Sequence, residues 1–194
     1  MDYLYASDEN YLRHAAASMV SLCEHQPAGA QVHIHLLDTG AKPESIAQLK
    51  ALVAGYGREL TVWPLGDLRR WFDFEIFAGG FTVSAMGRLL AGRVLPEEVH
   101  RVLYLDCDTI VLDDLSPLET LDMQGCPVGM VQEPTVSHKR LPVLGLPETS
   151  RYCNSGVLLM DLDRWRAEGT EKTIFDYYRA KGAQLIAPDQ DALN

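Results

Sequence analysis

"RVLYLDCDTIVLDDL", residues 101–115, decides the fold. Arg101 to Leu105 form a short apolar run with β-branched and aromatic character, bounded by polar residues, which predicts a buried strand over 101–106. Two carboxylates, Asp106 and Asp108, stand one residue apart where that run ends. Similar runs recur on either side: "DYLYA" (2–6), "VHIHLLD" (32–38), "LTVWP" (60–64), "PVGMV" (127–131) and a run over 157–161. Between the first of them the period changes. Leu12, Ala15, Ala16, Met19 and Leu22 recur at helical spacing within 10–24, and Pro43 opens a second helix through Leu52 that stops at Gly55. Repeated strand, helix, strand order predicts an α/β domain with a mainly parallel, Rossmann-like central sheet flanked by helices. Ligands of such sheets sit beyond the carboxyl ends of the strands. Asp106 and Asp108 are placed there.

Composition narrows the function. The 194 residues are 47% apolar and 23% charged, which suits one globular domain with a sizeable core. Lys and Arg total 17 against 27 acids, for a formal charge of -10, and no basic cluster exceeds two residues, so nucleic acid is excluded as a partner. No apolar run approaches the ~20 residues of a transmembrane helix, and Met1-Asp2 enters a strand without a basic and apolar leader. Cys23, Cys107, Cys126 and Cys153 show no metal-type pairing, which suits reduced thiols and a cytoplasmic location. No repeat or linker marks a domain boundary.

Asp-x-Asp by itself is weak. Among 15 aspartates the spacing occurs three times, at Asp106/Asp108, Asp161/Asp163 and Asp189/Asp191. "LDRWRAEG" after Asp161 turns helical, so that pair falls in a first helical turn, where capping and the macrodipole account for it. Asp106 and Asp108 instead lie between "VLYL" and "TIVL", and side chains two apart in an extended segment share a face. Converging carboxylates repel unless a cation sits between them. Oxygen ligands without nearby Cys or His pairs favour Mn²⁺ or Mg²⁺, which keep positions open for water and phosphate oxygens. The bland alternative is that both acids end a strand and cap a turn. A second alternative is the haloacid-dehalogenase type of phosphotransferase, with Asp106 as nucleophile in "YLDCDTIV"; that family's motif normally opens its domain, and here about a hundred residues precede it.

The chain resembles the retaining glycosyltransferases of family 8, which include glycogenin and the bacterial lipopolysaccharide galactosyl- and glucosyltransferases. Five ordered fragments carry the resemblance: "YASDENY" (5–11), "FTVSAMGRLL" (81–90), "VLYLDCDTIVLDDLSPL" (102–118), "YCNSGVLLMDLDRWR" (152–166) and "PDQDALN" (188–194). It implies a GT-A fold and a hexosyltransferase that uses a UDP-sugar donor, a saccharide or lipopolysaccharide-type acceptor and a metal on the donor diphosphate.

Carried over residue by residue, the resemblance makes Asp106 and Asp108 the metal acids, with Asp106 also near the ribose. It places Ala6, Asp8 and Asn10 at the nucleoside, although capping of the following helix explains Asp8 and Asn10 equally simply. Arg88 is implied at the donor sugar or phosphate, Glu133 at the sugar hydroxyls, and Asn154 and Ser155 in a turn facing the sugar. Asp189 and Gln190 are implied at the reacting face, with Glu133 beside them as a catalytic group. A neutral amide is a feeble nucleophile, so attack by the acceptor on the leaving-group side is the chemistry that suits Gln190. Family members continue beyond this motif with a His-x-x-Gly-x-x-Lys-type segment, and this chain stops at Asn194. A single 1–194 domain lacking that segment is therefore the expectation. It leaves open a binding fragment without turnover, and peripheral membrane contact only through the further region. The excursion 133–152, with Pro134, Pro142 and Pro147, reads as a lid or acceptor loop, or as a plain surface excursion. Trp63, Trp71, Phe72, Phe74, Phe77 and Phe81 read as core packing rather than a sugar platform.

Overall fold

The computed structural model describes residues 1–27, 29–76, 83–135 and 138–194. Six strands, β1 (Asp2–Ser7), β2 (His33–Asp38), β3 (Glu59–Pro64), β4 (Arg101–Leu105), β5 (Val128–Gln132) and β6 (Cys153–Asp161), form one sheet in the order β3-β2-β1-β4-β6-β5. The first four run parallel; β6 is antiparallel to both β4 and β5. Five strands therefore point one way and β6 points back. The expected mainly parallel sheet is present, with one reversed strand inserted between β4 and the edge strand β5.

Alternation along the strands sorts the core into two layers. On one face Tyr3, Tyr5, Ile34, Leu36, Leu103 and Leu105 pack with α1 (Leu12–His25) and α2 (Pro43–Gly55). On the other, Leu4, Ala6, Val102, Tyr104, Leu158 and Met160 meet a 3-10 helix over Val83–Leu90, which runs on into α3 (Ala91–Val94), and α4 (Leu162–Ala167) and α5 (Thr170–Lys181). A last short helix, α6 (Pro188–Leu193), packs against β6 and α5. Trp71, Phe72 and Phe74 belong to the second layer, with Phe72 and Phe74 in ring contact with Phe175. The core reading of these aromatics holds, as it does for Trp63, which is half-buried and donates to His35; Phe77 and Phe81 lie outside the described residues.

Two local expectations are corrected. β4 ends at Leu105, and Asp106 to Thr109 form a turn closed by the Thr109 amide donating to the Asp106 carbonyl at 3.1 Å. Asp106 and Asp108 thus meet across a turn rather than along an extended strand. Asn154 and Ser155, read as a turn, are already in β6, because "CNSG" continues the strand that pairs with β5. The capping reading of Asp161 is correct: its side chain accepts from the Arg164 amide at 3.0 Å. The 133–152 excursion contains a 3-10 stretch over His138–Leu144, and its Leu141 and Leu144 are buried in the second layer.

Candidate active site

The reversal of β6 builds the site. A reversed strand begins where its parallel neighbours end, so Asn154 and Ser155 start beside the carboxyl end of β4, and Asp161 finishes opposite Arg101 at the far edge. Ala6, Asp8 and Asn10 follow along or just after β1, Asp106 and Asp108 follow β4, and Glu133 follows β5. α6 closes the same edge. All the residues singled out in the sequence gather there, Arg88 reaching in from the 3-10 helix.

Arg88 is the hub. Only 3% exposed, its guanidinium lies 4.5 Å from the centre of the Tyr104 ring. Nη2 donates to Asp106 Oδ1 at 2.7 Å, Nη1 to the Ser155 hydroxyl at 3.1 Å and to the Ser155 carbonyl, and Nε to the Ala85 carbonyl at 2.8 Å with Asp189 Oδ2 3.2 Å away. The planar fork of arginine is what allows one side chain to tie four groups together. The neighbouring acids hold Arg88 charged, raising its pKa despite burial. Close approach of the helix is secured at Gly87, where an added Cβ would lie 3.2 Å from that of Ala6.

Asp106 is half-buried. Its Oδ1 is used twice, by Arg88 and by the Tyr104 hydroxyl at 2.8 Å. Burial pushes its pKa up, Arg88 and the Tyr104 hydrogen bond pull it down, and Asp189 and Asp108 push it up again. Among the described residues no hydrogen bond reaches Asp106 Oδ2 or the exposed Asp108 carboxylate. Between the two acids lies Cys107, whose thiol donates to the Ala6 carbonyl at 3.3 Å and is pushed up to about 12 by burial. The turn is thereby tied to the end of β1 and positions its acids without using their free oxygens.

The other face of the cluster is α6. Ser155 donates its hydroxyl to Asp189 Oδ2 at 3.0 Å and its amide to Gln190 Oε1 at 3.0 Å. Asn194 clamps the start of β6, accepting from the Cys153 amide at 2.7 Å and donating to its carbonyl at 2.9 Å. Asn154 Oδ1 accepts from the Gly156 amide at 2.7 Å, and its Nδ2 reaches Glu133 at 3.4 Å. Glu133 is held below its usual range by the hydroxyl and amide of Thr135.

Asp8 and Asn10 stand somewhat apart. Asp8 Oδ1 accepts from the amides of Asn10 and Tyr11 at 3.0 and 3.1 Å, which closes the turn before α1 rather than capping the helix, whose N-cap is Tyr11. Asn10 lines a cleft of about 580 Å³ between α1 and α2 with Glu9, Arg13 and Ser45. Ala6 points its methyl into the core, so its contribution to a ligand is limited to the space it leaves.

Three participants escaped the sequence reading. Tyr104 shares a face with Asp106 by simple alternation, a signal that was available. Gly156 was also legible as a strand glycine marking close approach: a Cβ there would lie 2.9 Å from both Asp106 Oδ2 and Asn154 Oδ1. Asp191 stands in the first turn of a short helix, where an acid is ordinary, yet it is 1% exposed. Two of its partners, Arg140 and Tyr152, come from residues far away in the chain, which no local pattern announces.

Comparison with known proteins fits this architecture. Residues 3–194 match the model of glycosyl transferase family 8. The chain is 26% identical over 197 residues to general stress protein A of Bacillus subtilis, covering all of this chain and 68% of that protein. It is 34% identical over 110 residues to the lipopolysaccharide 1,2-glucosyltransferase of Escherichia coli, covering 55% of this chain and 32% of the relative. The crystal structure of the galactosyltransferase LgtC in complex with donor and acceptor sugar analogs superposes with a TM-score of 0.85 at 26% identity, covering 100% of this chain and 69% of LgtC. A six-stranded sheet of this topology with its polar cluster at one edge defines a GT-A glycosyltransferase. The chain belongs to glycosyl transferase family 8. That membership removes the phosphotransferase alternative. No helix among the described residues is long and apolar enough to cross a membrane.

Proposed function

We propose that this protein transfers a hexose from a UDP-sugar to a saccharide acceptor with retention of configuration, aided by Mn²⁺ or Mg²⁺ at Asp106 and Asp108. The observation that carries the reading is the Arg88 hub, which draws Asp106, Ser155 and Asp189 into one network and, among the described residues, leaves Asp106 Oδ2 and Asp108 without hydrogen-bond partners. Among the described residues no group of three metal-binding side chains exists. Two carboxylates still fit a hard cation that completes its shell with water and diphosphate oxygens. Such a cation, when bound, offsets the charge that develops on the departing nucleoside diphosphate.

The chain's own groups do the remainder. Arg88 fixes the Asp106 carboxylate by Oδ1 and so aims Oδ2. Ser155 orients the Gln190 amide through its backbone N–H, and Asp189 places a carboxylate beside it to steady positive charge on the sugar. Glu133, kept ionised by Thr135, is available to accept from sugar hydroxyls. A lipopolysaccharide-type acceptor is part of the proposal, supported by the similarity to the Escherichia coli lipopolysaccharide 1,2-glucosyltransferase, and so is a cytoplasmic setting, supported by four unpaired cysteines.

The test is calorimetric titration of UDP with and without Mn²⁺ into the wild type, Asp106→Asn and Asp108→Asn, followed by a donor-turnover assay. Metal-dependent binding lost in both variants supports the reading. Binding that ignores the metal, or that both variants retain, refutes it.

A further inference from the structure

α6 is six residues long, too short to hold its own orientation. The proposed reacting-face residues Asp189 and Gln190 sit on it, so something else must set where they point. Asp191, the next residue but one after Asp189, has its carboxylate wholly inside. Oδ1 accepts from the Tyr152 hydroxyl at 2.5 Å; Oδ2 accepts from the amides of Ile186 and Ala187 at 2.9 and 3.1 Å and pairs with Arg140. Four donors on one buried carboxylate make an anchor rather than a reacting group.

Two of those donors come from the excursion between Glu133 and Tyr152. Arg140 lies in its 3-10 stretch, and Tyr152 is its closing foot, joined to the opening foot by the Glu133 amide donating to the Tyr152 carbonyl at 2.8 Å. Further ties fasten the excursion to α5: the Tyr177 hydroxyl donates to the Leu144 carbonyl at 2.7 Å, and Lys181 Nζ to the Val143 carbonyl at 3.3 Å.

We infer that Arg140 is a positioning residue: through Asp191 it latches the 133–152 excursion onto α6, and the placement of that excursion sets the aim of Gln190 and Asp189. The irregular loop is then coupled to the reacting face, although it contributes only Glu133 to the residues proposed there. The inference rests on the roles proposed above for Asp189 and Gln190.

The latch is measured first without activity. The Ser155 amide donates to Gln190 Oε1, so its hydrogen exchange, followed by NMR, reports how firmly α6 is seated. In Arg140→Met that exchange should rise about tenfold or more while Leu158, central in β6, keeps its protection, and Arg140→Lys should restore most of it. Donor turnover in Arg140→Met should fall about tenfold or more in kcat, with UDP·Mn²⁺ affinity within about twofold of wild type, because misplacement harms the reaction rather than nucleotide binding. Should Arg140→Met fail to fold, Tyr152→Phe removes one anchor bond at nearly constant volume and should raise Ser155 exchange severalfold. Unchanged Ser155 exchange in a folded Arg140→Met or in Tyr152→Phe overturns the inference, as does loss of UDP affinity in step with kcat. A wild type that binds no UDP defeats the proposed function instead, and the exchange data still decide the latch.

Discussion

Replacing Gly156 by alanine tests the site through a single methyl group. Gly156 lies in β6 with a backbone that any residue adopts, since its φ is not positive. On such a backbone Gly→Ala should stabilise by about 0.4–1 kcal/mol through the unfolded chain. Here the added Cβ would sit 2.9 Å from Asp106 Oδ2 and 2.9 Å from Asn154 Oδ1, closer than side chains tolerate. Neither oxygen retreats easily: Asp106 is fastened by Arg88 and Tyr104, and Asn154 Oδ1 accepts from the Gly156 amide itself. Overpacking of this kind costs about 1–3 kcal/mol. At roughly 2–4 °C per kcal/mol for a chain of this size, the melting temperature should fall by roughly 2–12 °C. UDP·Mn²⁺ affinity should fall with it, because the displaced oxygen is the one proposed to meet the cation. Gly129, in β5, is the control: its added Cβ would meet nothing closer than 3.7 Å, so Gly129→Ala should be neutral or slightly stabilising. The assays are thermal melts of both variants and calorimetry with UDP·Mn²⁺. Equal melting and binding in Gly156→Ala and wild type would show that Asp106 Oδ2 is not where the reasoning places it.

Arg88→Met should destabilise by about 3–5 kcal/mol in chemical denaturation, because it strands Asp189 and part of Asp106 as buried charges, and Arg88→Lys should recover only part of that; a loss under about 1 kcal/mol would deny the hub its role. At the opposite edge, burial pushes Asp2 up but the hydrogen bond and charge of His35 more than offset it, leaving Asp2 below its usual range. Its contribution to stability is therefore present above the ordinary carboxylate range and lost as pH falls through the lowered value. Asp2→Asn should flatten the acid limb of the stability curve, and an unchanged limb would remove this pair from the account.

The sheet was legible because each strand is a short apolar run bounded by polar residues, and the helices α1 and α2 because their apolar residues recur at helical spacing. The reversal of β6 was not. Direction is set by where the chain re-enters the sheet after a long excursion, and "GVLLM" reads the same in either sense. The same limit applies to Asp106 and Asp108. Local pattern suggested an extended pair, whereas a turn is formed because the Thr109 amide and hydroxyl both bond the Asp106 carbonyl. Nothing in the local pattern around Arg88 distinguishes it from a solvated helix residue; only the packing of its helix against Ala6 carries it to the cluster. Asp8 departs from its capping expectation by a few residues: its carboxylate accepts from the amides of Asn10 and Tyr11 in the turn before α1, whose N-cap is Tyr11 and has no side-chain cap bond.

The reversed strand also explains why similar Asp-x-Asp pairs have different fates. Asp106 follows the carboxyl end of β4, where Arg88, Asp189 and Ser155 converge and one of its oxygens is left over. Asp161 ends β6, which runs the other way, so it emerges at the far edge opposite Arg101 and spends its carboxylate on the Arg164 amide of α4. Asp189 and Asp191 share one helical turn. The first still faces the Arg88 hub, and the second is consumed by Arg140, Tyr152 and the chain before α6. Spacing is the same in all three; what separates them is the number of donors already within reach. A carboxylate whose oxygens are all taken by the protein has none left for a cation, and by that count only the pair after β4 keeps oxygens free on both of its acids.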